Sequence, residues 1–233
     1  MKVMSGKVHF DEYAENYEVA LNQGLSATGE EKDYFARGRI QWLAKCMAQL
    51  GEQPRRVMDY GCGDGSSCEF LFDLVKAKSV IGVDTSEKSL EVARQTYSDK
   101  NCSFLPIGTY TTKQELDLVY CNGVFHHIPP TDRAGALDYV WRSLRARGIF
   151  ALWENNPWNP GTRYVMSRIP FDRDAITLTP PEARDFVRRG GFQVLRTDSL
   201  FFFPKQLKCL RWMESHLSGL PLGGQYQVLC RKS

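Results

Sequence analysis

Three glycines behind a short apolar run are the first residues in this chain whose spacing could hold a ligand. In Val57-Met58-Asp59-Tyr60-Gly61-Cys62-Gly63-Asp64-Gly65, an acid precedes glycines at alternate positions, D-x-G-x-G-x-G, and residues 66–76 then carry apolar positions at helical spacing. Glycines in a strand-to-helix turn permit the tight reversal and let a ligand approach the backbone closely. A nicotinamide or flavin dinucleotide would want G-x-G-x-x-G. Here the third glycine comes one residue early, and Ser66 stands at the expected position. A second acid, Asp84, ends an apolar run 19 residues after Gly65. A carboxylate there can accept both hydrogen bonds of a ribose diol. His126 and His127 follow a third apolar run, 116–121. Imidazole titrates near neutrality and suits proton removal from a hydroxyl or amine, although one ring could equally pack against the next helix and the other cap a backbone group. Residues 154–175 gather Glu154, Asn155, Asn156, Trp158, Arg163, Tyr164, Arg168 and Arg173. Their polar groups could orient a substrate and their arginines hold a carboxylate or phosphate, or pair at the surface with Asp172 or Asp174.

The elements that must position these residues follow from periodicity. Strands are predicted at 56–60, 79–84, 102–106, 116–121, 149–154, 192–200 and 225–231. Helices are predicted at 31–50, 66–76, 86–97 (with Ser86 as N-cap), 132–146 and 180–189, and an amphipathic segment at 205–217. Thr179-Pro180-Pro181-Glu182 has the hydroxyl, proline and glutamate of a capping box. Strands alternating with helices imply right-handed βαβ units and a parallel sheet covered on both faces. The Pro/Asn-rich stretch 155–178 is too long for an ordinary connection.

The composition bounds the rest. A length of 233 residues suits one domain with insertions, and 42% hydrophobic residues permit a sizeable core. A net charge of +3 without a run of Lys or Arg does not favour a nucleic-acid partner. The amino terminus has no apolar signal-peptide region, no 18-residue apolar stretch exists, and the seven cysteines include no C-x-x-C, so a cytoplasmic protein with reduced thiols and no membrane insertion is expected. His9, His126, His127 and His216 are scattered in sequence, and Cys62 and Cys68 have no matching pair, so no metal site is expected.

Taken together, the turn at 57–71, the run Val80–Arg94 ending its strand at Asp84, and Leu116–Pro130 resemble, in order and spacing, the class I S-adenosylmethionine-dependent methyltransferases of small-molecule type. The resemblance implies an α/β, Rossmann-like, doubly wound and mostly parallel seven-stranded sheet with a C-terminal antiparallel strand and a lid insertion. It implies one domain over 1–233, with a helical lead-in at 1–50 and acceptor-site insertions at 155–178 and 201–223. The implied cofactor is S-adenosyl-L-methionine, held by Tyr17, Arg37 (or Arg39), Asp59, Gly61, Cys62, Gly63, Asp84, Thr85, Gly108, Thr109, Asn122 and Gly123. The implied acceptor residues are Tyr13, His127, Glu154, Asn155, Asn156, Arg163 and Tyr164, with His126 and His127 as catalytic candidates. The loop Pro106–Thr109 lacks the acid that many relatives place near the adenine amine. Phe201-Phe202-Phe203-Pro204 and the segment behind it would wall an apolar or aromatic acceptor, or cover the sheet or an oligomer interface. Asn156-Pro157-Trp158 is similar to the signature of amino-directed DNA and protein-glutamine methyltransferases but follows the fifth strand instead of the fourth. The expected reaction is in-line methyl transfer to a small molecule, oxygen ahead of carbon or nitrogen. A protein or RNA methyltransferase, or a cofactor-binding scaffold without turnover, stays open beside it.

Overall fold

The protein is described by a computed structural model covering residue 21, residues 24–173 and residues 175–233. Its strands are β1 (Arg56–Tyr60), β2 (Ser79–Asp84), β3 (Cys102–Pro106), β4 (Leu116–Asn122), β5 (Leu144–Asn155), β6 (Phe192–Leu200) and β7 (Gln225–Lys232). They form one seven-stranded sheet in the order β3-β2-β1-β4-β5-β7-β6. β1 to β5 pair in parallel, and β7 inserts antiparallel between β5 and β6. The strand order reverses between β1 and β4. In an open α/β sheet, the crevice beyond the carboxyl ends at such a switch point is where ligands bind.

The central strands are buried on both sides, which is why their sequences run apolar instead of alternating. Val57, Val80, Leu118, Tyr120 and Trp153 face one core with Ile40, Leu43 and Leu71. Met58, Tyr60, Val119, Cys121 and Phe150 face the other with Leu137, Val140 and Val187. The helices are α1 (Lys32–Leu50), α2 (Cys68–Asp73), α3 (Glu87–Thr96), α4 (Arg133–Ser143), α5 (Pro160–Arg168), α6 (Pro180–Arg189) and the short α7 (Glu214–Leu217), the last preceded by a 3-10 segment, Lys205–Met213. Ser86 caps α3 through its side chain, and Thr179 with Glu182 completes a reciprocal capping box on α6.

The helices expected at 66–76 and 132–146 are shorter, Cys68–Asp73 and Arg133–Ser143, the expected segment 205–217 divides in two, and two elements differ further. The stretch 155–178 contains a helix, α5, because Asn159 accepts from the Thr162 N–H and Pro160 fits the first helical position. β5 begins at Leu144, five residues before the expected start, because Leu144 pairs with Leu116 across an irregular register ahead of the regular ladder from Ile149.

Candidate active site

The glycine turn leaves β1 at the sheet's switch point. Gly61, Gly63 and Gly65 all have left-handed backbone, with φ of 77°, 52° and 77°. The amides of Gly61 and Cys62 both donate to the Val83 carbonyl, at 2.8 and 3.1 Å, which ties the turn to β2. At the end of β2, the Asp84 carboxylate accepts from the Gly63 amide at 2.8 Å and from the Ser86 amide at 2.9 Å. Asp59 is 4% exposed. Burial, with the Asp84 charge adding to it and the Arg39 charge opposing, pushes its carboxyl up to about 7. Lys32 closes the outer side of the turn, its Nζ 2.8 Å from Asp64 Oδ2.

Close to this turn, and sharing Lys32 with its outer side, lies a cavity of about 460 Å³, whose wall includes none of residues 57–65, Asp84, Thr85, Gly108 or Thr109. Leu25, Phe35, Val165, Met166, Ile169 and the Phe201–Phe203 run give it apolar walls, and Asn122, Gly123, His126, His127, Asn155 and Asp172 form a polar end. That polar end is a network. His126 Nδ1 is 2.5 Å from Glu154 Oε2, and Glu154 Oε1 accepts from the Phe125 amide at 2.9 Å. On its other edge, His126 Nε2 lies 3.7 Å from Asp172 Oδ1, and His127 Nε2 lies 3.2 Å from the same oxygen. Burial alone would strip the proton from His126, but the charge of Glu154, with the hydrogen bonds to Asp172 and Glu154, overcomes it and lifts the imidazole to about 10. Burial holds His127 below its ordinary value. Burial would raise Asp172, yet its hydrogen bonds to both histidines bring it down to about 2.

Comparison with known proteins places this arrangement. Residues 57–148 match the family described as a methyltransferase domain. Across almost its whole length the chain has the fold of a Thermotoga maritima S-adenosylmethionine-dependent methyltransferase, described as a possible histamine N-methyltransferase. The TM-score is 0.67 at 19% identity, covering 98% of this chain and 100% of that one. Residues 57–148 are thus similar to a methyltransferase domain, and the chain shares the fold of class I S-adenosylmethionine-dependent methyltransferases. The magnesium protoporphyrin IX methyltransferase of Synechocystis, solved with bound S-adenosylmethionine, has the same fold, at a TM-score of 0.62 and 18% identity over the full length of both chains. Two sequence relatives are trans-aconitate 2-methyltransferases. That of Rhodopseudomonas palustris (strain BisB5) is 28% identical over 59% of this chain and 54% of its own. That of Methylobacterium radiotolerans is 33% identical over 51% and 45%. The chain thus spans about half the length of the curated relatives it matches.

The sheet edge leaves open space where expected cofactor residues stand. A Cβ on Gly63 or Gly108 would meet nothing within 4 Å, so the backbone faces open space at both glycines. Asp84 accepts from the Gly63 amide there, and Asp59, buried on β1, lies close enough to Asp84 for their charges to interact. Thr109 is exposed and donates to the Pro106 carbonyl, while Thr85 is half-buried. Cys62 is buried, and its Sγ would lie 2.8 Å from a Cβ on Gly82, so the thiol packs against β2.

Several expected residues stand elsewhere. Arg37 is exposed and stacks over the Phe70 ring at 4.9 Å, so of the two arginines it is Arg39 that lines the cavity, donating to Tyr120 and Gln225. Glu154 lies behind His126 and outside the cavity wall. Asn156 is fully buried and ties the carbonyls of Pro221 and Gly223, because it anchors the loop crossing before β7. Arg163 is exposed and outside the wall, whereas Asn155 and Tyr164 line it. Tyr13 and Tyr17 lie outside the described residues. Asp172, expected only as a surface ion-pair partner, is 8% exposed and joins both histidines. No sequence signal pairs it with them, because α5 and its following turn bring it back across the sheet edge.

Proposed function

We propose that this chain is an S-adenosylmethionine-dependent methyltransferase that acts on an oxygen of a small, largely apolar acceptor. The observation that carries the reading is the apolar cavity ending in His126, His127 and Asp172, close to the glycine turn at the switch point. S-adenosylmethionine, when bound, supplies an electrophilic methyl group on a sulfonium. The chain's own work is then placement and proton removal. Asp84 would accept the ribose hydroxyls, Thr85, Gly108 and Thr109 would border the adenine, and Gly61, Cys62 and Gly63 would offer backbone to the methionine part. Asp59 would face its ammonium group and Arg39 its carboxylate. Asn122 and Gly123 line the cavity directly after Cys121, which pairs with Tyr60 ahead of the turn, and would meet the cofactor's reactive end. His127, kept neutral by burial, would take the acceptor's proton, while Asp172 orients its ring and Glu154 does the same for His126.

The named activity of the sequence relatives concerns trans-aconitate, a small acid. The cavity favours a different acceptor, because two of the three Lys and Arg side chains in its described wall are ion-paired, and the third, Arg39, is the one assigned to the cofactor's carboxylate. Lys32 pairs with Asp64, Arg211 with Glu30, and Arg39 donates to Tyr120 and Gln225. A polyanion would enter with little positive charge left to meet it.

Transfer of a labelled methyl group to a panel of phenols, aliphatic alcohols, amines and trans-aconitate tests this. Labelling of hydroxyl compounds with an apolar body is expected. Preferential labelling of trans-aconitate would overturn the acceptor reading. Tight S-adenosylmethionine binding without transfer to any class would point to a scaffold.

A further inference from the structure

Three groups at the cavity's polar end have the chemistry and spacing of a cation site. His126 Nε2 and Asp172 Oδ1 are 3.7 Å apart, and His127 Nε2 is 3.2 Å from the same oxygen. One donor atom from each of the three residues lies within 4.8 Å of the other two. Donors about 2.05 Å from a tetrahedral zinc ion stand roughly 3.3 Å from one another. The two distances to Asp172 bracket that value, so small side-chain adjustments would close the set around a metal. The rings are also held in the orientation that ligation requires. His126 gives its Nδ1 edge to Glu154, which leaves Nε2 directed at Asp172; a metal bound there would displace the Nε2 proton to solvent. A carboxylate behind a ligating imidazole is the usual outer-shell partner of a metal histidine. All three donor residues line the cavity. An ion among them would therefore keep a position open to an incoming oxygen, the arrangement of reactive sites as opposed to closed structural ones.

We propose that His126, His127 and Asp172 bind one divalent transition-metal ion, zinc or a metal of similar preference, with Glu154 as outer-shell support and the fourth position open to the acceptor cavity. In the loaded protein, an acceptor hydroxyl at that position would be ionised by the metal. His127 would then serve as ligand, and the acceptor's proton would leave to solvent. The inference concerns binding at these residues and does not rest on methyl transfer.

The test is titration of the chelator-stripped full chain with Zn²⁺ against a chromophoric chelator, and with Co²⁺ by visible absorption, without cofactor or acceptor. One equivalent should bind, with Co²⁺ giving d–d bands and no thiolate charge-transfer band. His127→Ala and Asp172→Asn should each weaken binding by about 100-fold or more, and Glu154→Gln by roughly 10–100-fold. His127 is the less buried of the two histidines, so His127→Ala keeps the test valid should Asp172→Asn fail to fold, with circular dichroism reporting the fold of each variant. No stoichiometric binding, a thiolate band, or affinity unchanged in folded His127→Ala would overturn the proposal. A chain that transfers methyl groups yet binds no metal would defeat this inference alone.

Discussion

Gly61 and Gly63 share left-handed backbone, at φ of 77° and 52°, but not surroundings. A Cβ at position 61 would lie 2.2 Å from Val124 Cγ2, with the Val124 Cβ and Cγ1 at 3.3 Å. A β-branched side chain has little rotamer freedom with which to withdraw. A Cβ at position 63 would meet nothing within 4 Å. Each Gly→Ala change carries the left-handed cost of about 1–2 kcal/mol. Gly61→Ala adds overpacking of about 1–3 kcal/mol, for roughly 2–5 kcal/mol in all. Urea unfolding should therefore show Gly61→Ala much less stable than Gly63→Ala. Cofactor titration should invert the order among folded variants. Gly63→Val places bulk in the space beside Asp84 and should weaken S-adenosylmethionine about tenfold or more, a loss of roughly 1.4 kcal/mol. Equal destabilisation by the two alanines would refute the packing argument. Unchanged affinity in Gly63→Val would refute the placement of the cofactor over the turn.

Other consequences follow from the same geometry. Asp84→Ala should weaken cofactor binding by about 1–3 kcal/mol through lost hydrogen bonds, and unchanged calorimetric affinity would remove Asp84 from the ribose position. The Asp59 carboxyl sits at about 7 in the folded chain, above its ordinary 3.8, so the unfolded chain ionises first and stability falls as pH rises from about 4 to about 7. Asp59→Asn should abolish that fall and be more stable than the parent at pH 8, by on the order of 2–4 kcal/mol; a parent stability that is flat over this range would contradict it. His126 is raised to about 10, so its contribution is complete below 6.5 and is lost as pH climbs through about 10. Glu154→Gln leaves that buried cation short of its partner and should cost about 3–5 kcal/mol at pH 7, measured by denaturant unfolding; a loss below 1 kcal/mol would show that the pair contributes little.

The parts of this account that were legible in sequence are those carried by neighbouring residues. The D-x-G-x-G-x-G turn, Asp84 at the end of β2, the Ser86 cap and the Thr179–Glu182 box are all local patterns, and the structure forms each where the pattern stands. The choice between Arg37 and Arg39 was also available, because Ala36, Arg39, Ile40 and Leu43 make a helical stripe that all turns inward while Arg37 points away from it. Asn159-Pro160 carried the start of α5, but the density of Pro and Asn around it reads as loop. Asp172 is of another kind. It reaches His126 and His127 only because α5 and its turn fold back over the ends of β4 and β5, a contact between distant segments that no local spacing encodes. For the same reason the adjacent His126 and His127, with their carboxylate partner 45 residues further on, gave no hint of a shared donor set.

The most direct test of the central claim is a crystal structure of the chain with S-adenosylhomocysteine. The account predicts the ribose hydroxyls on Asp84, the amino-acid end over the glycine turn, and the sulfur at Asn122–Gly123, facing the cavity that ends in His126 and His127. A ligand bound with its ribose away from Asp84, or with its sulfur shut off from that cavity, would contradict it.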